Sequence, residues 1–155
     1  MRWLERHAWW VLLLFALLLV TFGVTDVVVG PAADRAIPMA LTGLTPEEIE
    51  AEGAAGYRLF DFFTRANGFS LVGIGLLATA ILVFAFRRNQ RWAWWAMWVL
   101  PLWAAGALVF YLVAGVEPDQ PPPPPMISGP ILAVLSAAAL LVSAPRFFRG
   151  DPHEG

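Results

Sequence analysis

Apolar residues gather into four long runs, at 8–29, 67–86, 92–113 and 127–144, and polar positions fall mostly between them. A hydrocarbon layer about 30 Å thick is crossed by about 20 helical residues, so each run can span it once. The pattern predicts an all-α integral membrane protein. It is a four-helix bundle forming a single transmembrane domain over 1–155, with a long non-cytoplasmic connection at 30–60. At the second run, Asp61, Arg65, Gly68, Val72, Gly75 and Thr79 share one helical face at alternating four- and three-residue spacing. A small-residue stripe under a charged head is expected to form a close helix–helix seam, with a ligand groove as the lesser alternative.

Local signals place the connections. Thr21, Gly23, Thr25 and Asp26 precede Gly30-Pro31, which stops the first helix. Residues 31–44 read as irregular. Thr45-Pro46-Glu47-Glu48 reads as a helix start, giving a short interfacial helix at 45–52. Thr45 is its N-cap, Pro46 its first helical position, and Glu48 closes a capping box. Gly53 and Gly56 are candidate hinges, and the second helix is expected to begin before its apolar part, near Ala54 or Tyr57. The tight connection 87–91 makes the second and third helices antiparallel neighbours, and Pro101 should kink the third. The five prolines at 121–125 read as a stiff polyproline II spacer. Ser128, Gly129, Ala133, Ser136, Ala137 and Ser143 give the fourth helix a small-residue character that suits the bundle interior. No internal repeat stands out, although two hairpins in series could give a weak pseudo-symmetry.

Charge sets the orientation. Arg2, Arg6, Arg87, Arg88, Arg91, Arg146 and Arg149 fall on one side, and Arg35, Arg58 and Arg65 on the other among many acids. The positive-inside rule therefore places both termini in the cytoplasm, in a membrane expected to be the bacterial inner (plasma) membrane. Trp3, Trp9, Trp10, Trp92, Trp94 and Trp95 cluster at that same face, where indoles favour the headgroup region. A cleaved signal peptide is the rival reading of the first 20 residues. Against it, the apolar run continues to Val29, and Gly30-Pro31-Ala32-Ala33 is a poor cleavage site.

Composition removes most chemistry. Hydrophobic residues make up 59% of the 155 and charged ones 14%, far from the soluble balance. Cysteine is absent, so disulfides, thiolate metal sites and iron–sulfur ligation are excluded. A net charge of -2 gives no general attraction to nucleic acid. No span contains a histidine that could ligate haem; His7 and His153 lie near the ends. Met39, Met97 and Met126 are scattered, and no phosphate loop, dinucleotide fingerprint or nucleophile elbow appears. No cofactor, metal or catalytic residue is expected.

Unusual polarity gathers in one place, the non-cytoplasmic ends of the first two helices. Asp26, Arg58, Asp61, Arg65 and Asn67 lie there within reach of the hydrocarbon boundary, and Tyr111 lies at the outer end of the third helix. A carboxylate at such a depth is costly unless paired, and Arg65 or Arg58 could reach Asp26 by snorkelling. Arg58–Asp61 and Asp61–Arg65 are also intrahelical pairs. The group reads either as a proton, anion or headgroup site or as a salt-bridge network fixing helix register. Asp26 and Asp61 could face one another, but no nucleophile or histidine stands near them in sequence. Tyr111 could donate to a bound lipophile or simply belong to the aromatic belt.

Arg65-Ala66-Asn67-Gly68, followed by Leu71-Val72-Gly73-Ile74-Gly75-Leu76-Leu77, resembles the arginine–glycine opening and glycine-rich run of small DoxX-like bacterial membrane proteins. The basic-aromatic connection 87–95 is of a familiar type in that group. The resemblance implies four spans with cytoplasmic termini, and some members of the group accompany quinone-linked oxidoreductases. The acidic insert at 34–52 and the pentaproline depart from it. The expected function is a non-enzymatic accessory or scaffold subunit, with lipids, other membrane subunits or itself as partners. The alternatives are a carrier for a quinone or lipid, or a small oligomeric transporter.

Overall fold

The computed structural model describes residues 2–33, 35–116 and 119–148. Asp34 of the acidic insert, Arg149 and His153, which entered the sequence argument, lie outside the described residues. Eight α-helices are described: α1 (Arg2–His7), α2 (Trp9–Val29), α3 (Ala36–Thr42), α4 (Pro46–Glu52), α5 (Ala54–Phe84), α6 (Arg91–Ala96), α7 (Val99–Ala114) and α8 (Pro124–Phe148). Four helical stretches are long and apolar enough to cross a membrane: Trp9–Ala33, Ala54–Arg88, Arg91–Ala114 and Pro124–Phe148. In none of them is more than 33% of the apolar window buried inside the protein. Phe69, Phe110 and Val113 stand at least 75% exposed. Such surface is untenable in water and ordinary against lipid.

The spans form two antiparallel pairs, α2 with α5 and α7 with α8, joined mainly through α2 and α8. Arg2 and Phe148 lie at one end, the terminal end; the described connecting residues 30–33, 35–53, 115–116 and 119–123 lie at the other, the loop end. The bulky core sits toward the terminal end. Leu12, Phe15, Leu19, Leu82, Phe86, Trp94, Met97, Leu100, Leu140 and Phe147 are all buried there. Trp94 anchors it, its Nε1 donating to the Leu140 carbonyl at 2.9 Å across the interior.

The α2–α5 seam is closer than side chains would allow. Ala16 and Gly23 on α2 meet Gly75 and Gly68 on α5 in antiparallel register. A Cβ added at Gly23 would lie 2.5 Å from the Gly68 carbonyl oxygen, and one at Gly75 would lie 2.7 Å from that of Ala16. Backbone therefore packs on backbone, as dispersion-driven membrane helices require. The expected stripe on α5 is a seam, and it widens through the buried Leu71, Ala78 and Leu82. Buried positions 68, 71, 75, 78 and 82 alternate by three and four, the repeat of a left-handed crossing.

Several elements differ from the sequence reading, each for a local reason. The stretch expected to be irregular holds a 3₁₀ turn at Gly30–Ala33 and the helix α3. Gly43 closes α3 with φ 72°, its N–H donating to the Met39 carbonyl at 2.9 Å. The proline run stays outside a helix only to Pro123, because α8 begins at Pro124. The first turn of a helix needs no N–H partner and favours φ near −65°, so prolines seat there without cost. The third span is two helices rather than one kinked helix, parted at Met97 and Trp98. Pro101 offers no N–H to the Met97 carbonyl four residues back, which takes the Leu100 N–H instead at 3.2 Å. Helix α8 is not interior: Ile127, Val134 and Leu141 are more than half exposed, and its buried face is narrow.

Two glycine substitutions on α5 should separate seam from surface. Gly68→Ala places a Cβ 2.6 Å from the Asp26 Cβ and 2.7 Å from the Gly23 oxygen, and is expected to cost about 1–3 kcal/mol. Gly73→Ala meets nothing within 4 Å and should leave stability unchanged or raised by up to about 1 kcal/mol. Thermal unfolding in detergent checks both; equal effects would refute the seam.

Candidate functional site

The loop end of the α2–α5 pair carries the charged group that the sequence singled out. An α-helix leaves its last carbonyls unpaired and its C-terminus partially negative. At the end of α2, the Gly30 N–H donates to the Asp26 carbonyl. Arg65, reaching across from α5, donates through Nη1 to the carbonyls of Val27 and Val28. Its Nε donates to both oxygens of Asp61, at 2.9 and 3.1 Å, one turn earlier on α5. Arg65 thus caps a neighbouring helix while Asp61 holds its guanidinium in place.

Gly30 makes this geometry accessible. Its φ of 70° lies in the left-handed region, and a Cβ there would fall 2.6 Å from Asp61 Oδ1 and 2.7 Å from Arg65 Nη2. The ion pair lies directly over the glycine. Sequence reasoning treated Gly30 only as a helix stop and Gly23 as part of that signal. The seven-residue spacing of Ala16, Gly23 and Gly30, opposite that of Asp61, Gly68 and Gly75, would have identified the paired faces.

The remaining predicted residues are spread over both helix pairs. Asn67 Nδ2 donates to Asp26 Oδ2 at 3.5 Å, a long contact at the limit of a hydrogen bond. Arg65 is engaged by Asp61 and the α2 carbonyls. Arg58 turns back along its own helix, its Nε donating to the Ala54 carbonyl at 3.2 Å, and makes neither the Asp26 nor the Asp61 pair. Tyr111 lies half-buried on α7, in the other helix pair.

A second polar feature lies above the membrane-crossing part. Thr45 Oγ1 accepts from the Glu48 N–H, and Glu48 Oε2 accepts from the Thr45 N–H at 2.7 Å, completing the capping box at the start of α4. Hydrogen bonding from the Thr45 backbone N–H, the larger effect, and from the Thr45 side chain holds the Glu48 carboxyl below its usual range. Arg35 and Glu47 form an exposed ion pair tying the start of α3 to α4.

Reactive chemistry is sparse. Among the described residues no three His, Cys, Asp or Glu side chains group as a metal would need. A cavity of about 50 Å³ between α2 and α8 is lined by Val11, Leu14, Phe15, Leu18, Leu132, Leu135 and Ser136. It is far smaller than the several hundred Å³ of an ordinary ligand pocket. Ser136 is not poised in it as a nucleophile, because its hydroxyl donates to the Leu132 carbonyl at 2.6 Å. Trp98 Nε1 is buried without an acceptor, beside the break that Pro101 makes. Comparison with known proteins adds no relative: no family model, curated protein or solved structure matches the chain.

Removing the cap should matter more than removing its orienter. Arg65→Ala leaves two carbonyls of α2 without their donor and is expected to cost about 1–3 kcal/mol. Asp61→Asn should cost under about 1 kcal/mol, since the pair is partly exposed. Thermal melts of the two variants give the order, and the reverse order would sink the capping role. Acid should loosen α4. With the folded-state value of Glu48 lowered, its contribution is present above the ordinary carboxylate range and lost as pH falls through the lowered value. Hydrogen exchange at the Thr45 amide is expected to quicken over that window in the native protein and not in Glu48→Gln.

Proposed function

We propose that this chain is a non-enzymatic subunit of a membrane assembly, acting as a scaffold against which other membrane-embedded chains pack. The observation that carries this reading is the use of Arg65 and Asp61. The best candidate for a reactive cluster is occupied in closing one helix against another. An enzyme or ion path needs groups left available to a substrate, and Arg65 is taken up by the fold. Uncovered apolar faces on α7 and α8, including Phe110, Val113 and Val134, offer surface to lipid and to partner helices alike. The resemblance to DoxX-like proteins at 65–77 supports the same reading, since some of those proteins accompany oxidoreductases. The arginine distribution favours cytoplasmic termini and, with that resemblance, a bacterial plasma membrane.

A carrier for a quinone or lipid is the second reading, and one placement favours it. Asp26 follows Leu12 and Leu19 at seven-residue intervals, so it continues a buried row past the point where the bulky core ends. Asn67 joins it there. A polar pair at the edge of an apolar interior suits the headgroup of a lipophile.

Native mass spectrometry of the tagged chain, extracted gently from its own membranes, discriminates the two. The scaffold reading expects a stoichiometric protein partner. A lone protomer or homo-oligomer retaining one defined small molecule would overturn it in favour of the carrier.

A further inference from the structure

The terminal end holds a second charged assembly, independent of the scaffold reading. The turn between α5 and α6 carries Arg87, Arg88 and Arg91, all exposed, within five residues. Asn89 bends the turn at φ 56° and donates its N–H to the Phe86 carbonyl at 3.0 Å. Three contacts lock this turn against both helix pairs. The Arg87 guanidinium lies 5.1 Å from the centre of a Trp9 ring at the start of α2. Arg91 Nε donates to the Phe147 carbonyl near the end of α8 at 3.2 Å. Arg146 Nη2 donates back to the Arg87 carbonyl at 3.0 Å. Because Arg146 and Phe147 are adjacent, these bonds draw the turn and the end of α8 together, with the Phe86 and Phe147 rings 4.6 Å apart beneath them.

Three of the cations gathered there, Arg87, Arg88 and Arg91, stand exposed on the turn. The ion pairs Arg35–Glu47 and Arg65–Asp61 both lie at the loop end. Arg87, Arg88 and Arg91 meet no carboxylate among the described residues. Each guanidinium presents five N–H donors, and Arg91 uses its Nε while both of its terminal nitrogens remain. The depth is marked by indoles: Trp10, Trp92 and Trp95 are more than half exposed, and Trp92 Nε1 donates to Gln90 Oε1 at 2.7 Å beside the arginines. Exposed indoles sit at the headgroup level of a bilayer, where the available anion is lipid phosphate. Guanidinium matches a phosphate with paired, charge-assisted bonds. Phe84, 65% exposed and one turn below Arg88, offers apolar surface to an acyl chain.

We propose that the α5–α6 turn binds the phosphate group of an anionic glycerophospholipid where the two helix pairs meet. The lipid supplies negative charge to Arg87, Arg88 and Arg91, and it braces the junction from the headgroup side.

The test uses the full chain in neutral detergent micelles, with dioleoylphosphatidylglycerol, dioleoylphosphatidylcholine or inorganic phosphate added. Native mass spectrometry reads lipid retention and thermal unfolding reads stabilisation. The anionic lipid is expected to be retained over the zwitterionic one and to raise the melting temperature, while inorganic phosphate does neither. Each of Arg87→Gln, Arg88→Gln and Arg91→Gln should weaken retention about fivefold, and the triple variant about a hundredfold. Arg58→Gln, at the loop end, should leave retention unchanged. Should the triple variant fail to fold, Arg88 remains informative, because its side chain bonds to no other described residue: Arg88→Gln loses retention and Arg88→Lys keeps part of it. Equal retention of the two lipids, an equal effect of Arg58→Gln, or equal binding of inorganic phosphate would each overturn the lipid site.

Discussion

Backbone contact between α2 and α5 is the constraint on which the rest depends. At Gly23, Gly68 and Gly75 the added Cβ would collide with the facing backbone, whatever neighbouring side chains did. No repacking of neighbours relieves such a clash, so the register of the pair is set to within a residue. That register then decides what the ends can do. It brings Asp61 and Arg65 over Gly30, and so lets one guanidinium serve the carbonyls of another helix. Slide the helices by one turn and the cap, the ion pair and the glycine no longer coincide.

The α7–α8 pair is held by different means. Gly129 approaches the Ala104 carbonyl less tightly, with a Cβ at 3.3 Å, and the pair relies on Trp94, Leu100 and Leu140 at the terminal end. Bulky side chains fill one end of the bundle, and the other is held by small residues and polar bonds. The break at Met97 and Trp98 fits this division. It separates α6, packed into the terminal junction, from α7, whose loop-end half exposes Val109, Phe110, Leu112 and Val113.

Periodicity and composition made the long elements legible, because length and apolarity alone decide which segments can cross a bilayer. Thr45, Pro46 and Glu48 were also legible, since a capping box is a local device with one geometry. What escaped was relational. Nothing local to Gly23 says that Gly68 will face it; that follows only when two seven-residue repeats are aligned against each other. Helix α3 lay hidden in a segment that read as irregular: Pro38 and Gly43 are residue types common in loops, yet one lies within the helix and the other closes it in the left-handed conformation. At the candidate site, the sequence placed Arg65 beside Asp61 correctly, as an i, i+4 pair. It could not reveal that the guanidinium also faces the carbonyls of Val27 and Val28, since carbonyls carry no sequence signature.

Helix α5 has 31 residues, about 46 Å of helix against a hydrocarbon layer of about 30 Å. The surplus stands at the loop end, where Arg58, Asp61 and Arg65 occur. A charged clasp on an overlong helix acts as a waterline. In a thinner bilayer the charged turns rise further clear, and in a thicker one α5 has length in reserve. The α7–α8 pair carries no such charged clasp at its loop end among the described residues. The two halves of one small protein would therefore ride differently as the membrane around them changes thickness.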